Sequence, residues 1–278
     1  LMTQGMICLE TYKGPDGKWL TPEEAEGRDD VTRGRSEKMS KSKKNVVDPE
    51  RIIGNYGADT ARLFMLSDSP PDRDLDWTDS GIEGAWRYVG RVWRLVSENL
   101  ETLSPFGTSA PISVDGDALA MRAMVHKTID AVTRDLDGFH FNKAVARIRE
   151  LTNALESFNA PADDAMAVRR EAFVTVALLL NPVMPHLAEE LWSVLGHDGL
   201  IADAAWPVAD GALLVDDTVT VAVQVNGKMR GTIDVAKDCP NDVAQQAALA
   251  LDTVQAAMQG KEPRKVIVVP NRIVNVVI

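Results

Sequence analysis

The spacing of the hydrophobic residues changes once along this 278-residue chain, and that change limits what the chain can fold into. Between about residues 79 and 195, apolar residues recur every three or four positions, which is the spacing of amphipathic helices. After Gly211 they alternate with other residues, as in the run Val219–Val225, which is the spacing of a half-buried strand. The sequence therefore predicts a helical part followed by a separate small unit that contains a sheet.

Two short helices are predicted before the long ones. Asp48-Pro49 has the residues of an N-cap and a first helical position, and the helix should end near Tyr56 with Gly57 as a left-handed cap. Asp59 is predicted to cap the next helix. The charged stretch from residue 21 to residue 34 has no apolar period, and it is predicted to be a surface loop.

Four or five amphipathic helices with short links then favour an antiparallel bundle. Ser80 and Glu83 have the spacing of a capping box at the start of the first helix. The later helices are predicted at about 117–136, from 142 to about 158, at 164–180 and at 186–195. The apolar stripe of the first helix, which includes Trp86 and Trp93, is predicted to lie in the core, and His186 is predicted to be buried or to cap a helix.

The last 65 or so residues are predicted to form a ββαββ unit. Asn226-Gly227 is a strong signal for a two-residue hairpin between the valine-rich strand and a return strand from Lys228 to about Val235. One alanine-rich helix is predicted from an Asn241 cap to Met258. Two further strands are predicted at 265–269 and 273–278.

The charge of the chain is uneven. The net charge is −11, which argues against a general affinity for nucleic acid, but six basic residues and one acid between Arg33 and Lys44 make that stretch locally +5. Cys8 and Cys239 fit neither a disulfide framework nor a metal site, so no metal is predicted and a reducing cytoplasm is expected. No stretch is apolar enough to predict a membrane span.

The stretch Lys38-Met39-Ser40-Lys41-Ser42 is the sharpest local feature. Two lysines three residues apart, with serines between them, provide movable positive charges and hydroxyl donors that suit a phosphate chain. Such charges are most useful where negative charge develops during phosphoryl or nucleotidyl transfer. The alternative is a solvated basic loop.

This stretch resembles the signature loop of class I aminoacyl-tRNA synthetases, and the resemblance extends from about Thr3 to Ile278. Tyr56–Met65 is similar to the segment that follows this loop in the leucyl-, isoleucyl- and valyl-tRNA synthetases. The later segments are similar to the leucyl-tRNA synthetases of bacterial type: Ser69-Pro70-Pro71, Asp76-Trp77, Gly81–Ala85, Leu180–His186, Glu189–Trp192, Val223–Lys228 and Arg264–Pro270. A valyl- or isoleucyl-tRNA synthetase segment is the alternative within the class. A free-standing tRNA-binding module is the alternative outside it.

The resemblance implies a mainly α fold. Residues 1–47 would be the end of a Rossmann-type catalytic domain with the signature loop, and residues 48–78 would be a connecting segment. Residues 79–209 would form the antiparallel helical bundle called the anticodon-binding domain. Residues 213–278 would form a small α+β domain that contacts tRNA.

The resemblance also implies a ligase that activates leucine with ATP and transfers it to the 3′ end of tRNA(Leu). ATP with Mg²⁺ would be a substrate of the full enzyme, and no cofactor would be bound covalently. Lys38 and Lys41 would be catalytic, and the loop that binds ATP would be Lys38, Met39, Ser40, Lys41 and Ser42.

Contacts to tRNA are predicted at ten basic residues, which a solvated surface paired with acids such as Glu98 would also explain. They are Lys43, Lys44, Arg87, Arg91, Arg94, Lys228, Arg230, Arg264, Lys265 and Arg272.

The sequence departs from the class at one point. The histidine motif that partners the signature loop is absent, because the four histidines are scattered at His126, His140, His186 and His197. ATP and leucine would therefore be bound with an N-terminal catalytic half that this sequence lacks. This chain alone is expected to be inactive and monomeric.

Overall fold

The computed structural model describes residues 3–108, 114–160, 162–215 and 218–278. The predicted segments also include residues 1–2, 109–113, 161 and 216–217, which lie outside the described residues. The chain divides into two compact units, Leu1–Asp210 and Gly211–Ile278. In the part of the chain that is described, no helix has both the length and the apolar character needed to cross a bilayer.

The first unit begins with a four-stranded sheet. Its strands are β1 (Ile7–Lys13), β2 (Trp19–Leu20), β3 (Thr32–Lys38) and β4 (Leu75–Asp76). Strand β1 lies between β2 and β3 and is antiparallel to both, and β4 pairs with it in parallel. The sheet brings the end of β3, which carries the basic stretch, next to the start of β1.

The predicted surface loop from residue 21 to residue 34 is wrong. Helix α1 (Pro22–Ala25) lies inside it, and β3 starts at Thr32. The helix begins with a reciprocal capping box, because Glu24 N–H donates to the Thr21 hydroxyl at 3.1 Å and Thr21 N–H donates to the Glu24 carboxylate at 2.8 Å. An exposed strand has no apolar alternation, which is why the pattern hid β3.

Helices α2 (Pro49–Tyr56) and α3 (Ala58–Ser67) follow the basic stretch. The start of α2 is as predicted, because the Asp48 carboxylate accepts the Glu50 N–H at 3.0 Å. Gly57 differs from the prediction. Its φ of 85° is positive, but its ψ of 155° takes it out of the left-handed helical region. The glycine instead continues the chain in an extended conformation that is essentially closed to other residues.

The prediction that Asp59 caps its own helix, α3, is wrong. Asp59 instead caps a helix far along the chain. Its buried carboxylate accepts the Leu187 N–H at 2.7 Å, in the first turn of helix α8 (Pro185–Val194), and contacts His186 Nδ1 at 2.8 Å. One turn later in α3, Arg62 donates to the carbonyls of Pro182 and Val183. The prediction for His186 is also wrong, since its side chain is 77% exposed and Asp59 provides the cap.

The predicted bundle is present, with helix bounds close to the expected ones. Before α8 come α4 (Asp79–Ser97), α5 (Gly116–Asp137), α6 (Phe141–Ser157) and α7 (Ala162–Leu180). The prediction of a capping box at Ser80 and Glu83 is wrong. Thr78, the preceding hydroxyl residue, is the N-cap and accepts the Gly81 N–H at 3.2 Å.

The core of the first unit includes one stripe of α4, but not the two tryptophans predicted for it. The buried residues of α4 are Ile82, Ala85, Tyr88, Val92 and Val96. Trp86 is 53% exposed and Trp93 is 36% exposed. Both lie on the flank of the buried stripe, where helical periodicity alone does not show whether a neighbour covers them.

The second unit is a four-stranded sheet with two helices. Its elements are β5 (Thr218–Val225), β6 (Lys228–Ala236), α9 (Asn241–Ala250), α10 (Asp252–Met258), β7 (Lys265–Val269) and β8 (Ile273–Val277). The strand order is β6-β5-β8-β7, with β5 and β8 parallel. Asn226 and Gly227 both have positive φ, as the predicted hairpin turn requires.

The predicted single helix of the second unit is two helices. Leu251, at ψ 128°, is extended and separates α9 from α10, so the unit is ββααββ. Asn241 is the first residue of α9 and not its cap. Leu251 is partly buried against the unit's core, so the break places an apolar side chain on the sheet. The alternating residues Val221, Val223 and Val225 are buried as predicted.

We predict that Asp59→Ala lowers the free energy of unfolding of the first unit by about 1–3 kcal/mol, because α8 loses its cap and Leu187 N–H loses a charged acceptor. Urea denaturation followed by circular dichroism measures this change. Asp72→Ala, which removes an exposed carboxylate of the same unit, is the control. Equal midpoints for the two variants would contradict the role of Asp59.

Candidate functional site

The basic stretch ends in a short loop, residues 38–44, whose backbone is held at both ends. Strand β3 ends at Lys38, and the Met39 N–H donates to the Ile7 carbonyl at 3.1 Å. A single 3₁₀ turn follows over Lys41–Lys43. Lys44 closes the turn in a left-handed conformation, with φ of 56° and its N–H donating to the Lys41 carbonyl. The loop therefore exposes its side chains from a defined backbone.

Asn45 is the residue that holds this backbone, and sequence reasoning did not single it out. Its side chain is 1% exposed. Its amide oxygen accepts the Ser40 N–H at 2.9 Å, and its amide nitrogen donates to the carbonyls of Leu9 and Glu37, both at 3.0 Å. One buried amide thus joins the loop to β1 and β3. Only the family resemblance, which includes Asn45 in the matching segment, pointed to this position.

The two serines of the loop contact each other. The Ser40 and Ser42 hydroxyl oxygens are 2.8 Å apart, and the Ser42 side chain is exposed. A hydroxyl both donates and accepts, so either serine is able to donate to an incoming oxygen.

The four lysines of the loop fall into two classes. Lys43 pairs with Glu37, and Lys44 Nζ lies 3.0 Å from Glu24. Lys38 and Lys41 are exposed, and among the described residues neither has an acidic partner. The unpaired positive charge of the loop is concentrated on the two lysines of the signature.

The paired carboxylates show the effect of these cations. Lys43 holds the pKa of Glu37 below its ordinary value, with a smaller effect from Arg35. The pKa of Glu24 is lowered first by the Thr21 backbone N–H and then by Lys44. Both acids therefore stay ionised at neutral pH, and the capping box of α1 is what positions Glu24 against the loop. The spacing of that box, Thr21 to Glu24, is a signal that the sequence contains.

Three of the basic residues predicted to contact tRNA, Arg87, Arg91 and Arg94, lie on α4 and line one groove. Arg87 lies 3.7 Å from Glu83, and Arg91 lies 3.2 Å from Glu156. For Arg94 there is no acidic partner in the described part of the chain. Arg149 of α6 joins the groove, stacked over the Tyr88 ring with its guanidinium carbon 4.3 Å from the ring centroid. Sequence reasoning did not link Arg149 to this stripe.

The basic residues of the second unit are all exposed. Pairing of β5 with β6 and with β8, and of β7 with β8, places Lys228, Arg230, Arg264 and Lys265 at the hairpin end of the sheet. Arg272 precedes β8 and lies away from that end. The register shifts at Arg230, so Lys228 and Arg230 do not follow the simple two-residue alternation of a regular strand.

Comparisons with known proteins agree with this architecture. A family model described as "tRNA synthetases class I (I, L, M and V)" matches residues 30–78, and one described as "Anticodon-binding domain of tRNA ligase" matches residues 119–245. The chain is 59% identical to the leucine–tRNA ligase of Paramagnetospirillum magneticum and 55% identical to that of Rhodospirillum rubrum. The alignments cover 100% of this chain, but only 33% and 34% of those relatives.

A solved structure also matches over the whole chain. The LeuRS of Agrobacterium radiobacter K84 agnB2, in a ternary complex with tRNA and LeuAMS, superposes with a TM-score of 0.71 at 28% sequence identity. The match covers 100% of this chain and 33% of that chain.

The fold and the signature loop together define a segment of a class I aminoacyl-tRNA synthetase, with a helical bundle of the anticodon-binding type. Within that class the chain belongs to the leucine–tRNA ligase family, and it spans about a third of the length of the relatives it matches. The predicted fold class and family are confirmed.

We predict that Asn45→Ala loosens the loop without unfolding the unit. The Ser40 N–H loses its acceptor, and two buried carbonyls lose a donor, at a cost of about 1–3 kcal/mol. Amide hydrogen exchange at Ser40 should become faster by about 5- to 150-fold, since 1.4 kcal/mol is a factor of ten. Asn55→Ala, an exposed change in α2, is the control. Unchanged protection at Ser40 would show that other contacts hold the loop.

Proposed function

We propose that this chain is the part of a leucine–tRNA ligase that supplies the ATP-phosphate loop and surfaces that dock tRNA(Leu). The full enzyme would form leucyl-adenylate from leucine and ATP and transfer the leucyl group to the 3′ end of the tRNA. The observation that carries this proposal is the pair of unpartnered signature lysines on a loop fixed by Asn45.

The chemistry explains why two free cations are useful there. In adenylate formation a leucine carboxylate oxygen attacks the α-phosphorus of ATP, and the bond to the bridging oxygen of pyrophosphate breaks. Negative charge then increases on the β- and γ-phosphates. Lys41 Nζ, as a positive charge already in place, would stabilise that charge without the cost of reorganising solvent. Lys38 would assist, and the hydroxyls of Ser40 and Ser42 would donate to phosphate oxygens.

ATP would enter as its Mg²⁺ complex, as a substrate. The loop offers ammonium and hydroxyl groups, which bind phosphate oxygens and leave the metal to the nucleotide. Lys38, Met39, Ser40, Lys41 and Ser42 remain the proposed ATP contacts.

The rest of the chain would position the tRNA. We assign residues 1–47 to the catalytic end, 48–78 to a connecting segment, 79–209 to a docking bundle and 213–278 to a second tRNA-contacting unit. The support for a tRNA role is the anticodon-binding match over 119–245 and the basic residues on α4 and at the hairpin end of the second sheet. The free Cys8 and Cys239 suit a reducing cytoplasm, where we propose that the enzyme works as a monomer.

We predict that Lys41→Ala, in a full-length synthetase carrying this sequence, slows leucyl-adenylate formation by about 10²–10³-fold, the usual effect of removing one preorganised transition-state interaction. Leucine binding should change little, because Lys41 would contact phosphate. Pre-steady-state ATP consumption gives the rate, and equilibrium dialysis gives the leucine affinity.

The matched control is Lys44→Ala, which removes a paired lysine three residues away and should leave the adenylation rate near the parent value. The 278-residue chain by itself should show no leucine-dependent ATP–pyrophosphate exchange. Equal loss in the two variants would mean that general positive charge, and not Lys41, is what the reaction needs. Exchange by the chain alone would show that no further part is required.

We predict that removing three cations from the hairpin end of the second unit weakens tRNA binding and reduces its salt dependence. In Lys228→Ala/Arg264→Ala/Lys265→Ala the slope of log affinity against log salt should fall by about 0.7–0.9 for each phosphate that the variant no longer neutralises. Leucylation should slow at low tRNA concentration, while adenylate formation should persist. Lys237→Ala, after the opposite end of β6, is the control. An unchanged slope would make these residues a solvated surface.

A further inference from the structure

Two exposed tryptophans on α4 have no role in the fold described above. Trp86 is 53% exposed and Trp93 is 36% exposed, although large aromatic side chains are usually well covered. Trp86 makes an edge contact with the Tyr56 ring at a centroid distance of 6.3 Å, which leaves its indole otherwise open. Such exposure is typical of a binding surface.

Both tryptophans line the same groove as the arginines of α4. The groove has a volume of about 1230 Å³, and it lies between α4 and the start of α3, with Arg149 and His186 at its sides. It exceeds the roughly 300–1,000 Å³ of pockets for small molecules. An elongated segment of a polymer would fill such a space better than a small metabolite.

The charge of the groove indicates which class of polymer it would bind. Four arginines line it, at 87, 91, 94 and 149, against two acids, Asp59 and Glu190. Arg87 and Arg91 also pair with Glu83 and Glu156, which do not line the groove. Asp59 is already engaged by α8 and His186. Arg94 and Arg149 have no acidic partner in the described part of the chain, which is acidic as a whole at −11. A positive groove on an acidic chain is complementary to a polyanion.

The spacing of the rings is suited to bases. Trp86 and Trp93 are seven residues apart on one helix, which is about 10.5 Å along its axis. That distance is about three rises of 3.4 Å between stacked bases in one strand. Two residues with this separation along the helix axis match a run of a few nucleotides.

We propose that this groove binds unpaired nucleotides of the tRNA, with bases stacked on Trp86 and Trp93 and phosphates held by Arg91, Arg94 and Arg149. The inference rests on the proposed docking of tRNA and names the part of the RNA that contacts α4. A duplex buries the faces of its bases, so it would use the arginines and leave the indoles without a partner. Unpaired bases use both, because every base has a face that stacks on an aromatic ring.

The test compares Trp86→Leu, Trp93→Leu and their double variant with Trp86→Phe and Trp93→Phe in the full chain. Binding of a tRNA(Leu) transcript is measured by filter retention across a salt series. Each leucine variant should weaken binding by about 5- to 150-fold, the range for losing one base stack. The salt slope should stay constant, because an indole releases no counterions. The phenylalanine variants should keep most of the affinity.

Trp206→Leu is the matched control, since Trp206 is also 36% exposed in the first unit but lies outside the groove. A second measurement is base-specific chemical modification of the bound tRNA. A few unpaired bases should be protected by the parent chain and become reactive again with the double leucine variant, which identifies the stacked nucleotides.

The outcomes separate this inference from the proposed function. If Arg91→Ala and Arg94→Ala reduce the affinity and the salt slope while the tryptophan variants bind like the parent, tRNA docks here through duplex backbone and the stacking proposal is overturned. If neither set matters for tRNA but the leucine variants destabilise a full-length synthetase, the groove is covered by polypeptide and the proposal is again overturned. Loss of affinity in Trp206→Leu equal to that in the groove variants would also overturn it.

Discussion

The first unit depends on the hydrogen bonds that the buried carboxylate of Asp59 makes with the start of α8. Asp59 is located at the start of α3, which α2 separates from the signature loop, and it caps the N-terminal end of α8 by accepting the Leu187 N–H. Arg62, one turn further, satisfies the carbonyls of Pro182 and Val183 just before α8 begins. One face of a ten-residue helix thus meets both the end of α8 and the turn that leads into it. The path from the loop to the bundle is fixed by charge-assisted hydrogen bonds as well as by apolar packing.

The signature loop combines a fixed backbone with free side chains. Asn45 connects Ser40 to carbonyls of β1 and β3, so the loop backbone is ordered before any ligand arrives. Lys38 and Lys41 extend from it without acidic partners among the described residues. Electrostatic stabilisation of a transition state requires charges that are already in place. A loop that is anchored by a buried amide, and not by its own lysines, leaves those lysines free for the phosphate contacts proposed above.

Much of this fold could be predicted because its signals are local. Asp48-Pro49, the helical apolar spacing and Asn226-Gly227 each act within a few residues, and the structure confirms all three. Trp86 and Trp93 were misplaced because periodicity identifies a stripe but not how far the neighbouring helices extend over its flanks. The role of Asn45 depends on carbonyls from two strands, and the grouping of Lys228 with Lys265 depends on the parallel pairing of β5 and β8. Neither arrangement can be deduced from spacing along the chain.

The division after Asp210 has a consequence for any partner that contacts both units. The second unit has its own buried core, so it folds around residues that the first unit does not supply. If one unit held a long ligand, the other would meet that ligand at an effective concentration set by their covalent connection, and two weak contacts would act as one stronger contact. Release can then proceed stepwise, one unit at a time, so that tight overall binding remains compatible with rapid exchange of the ligand.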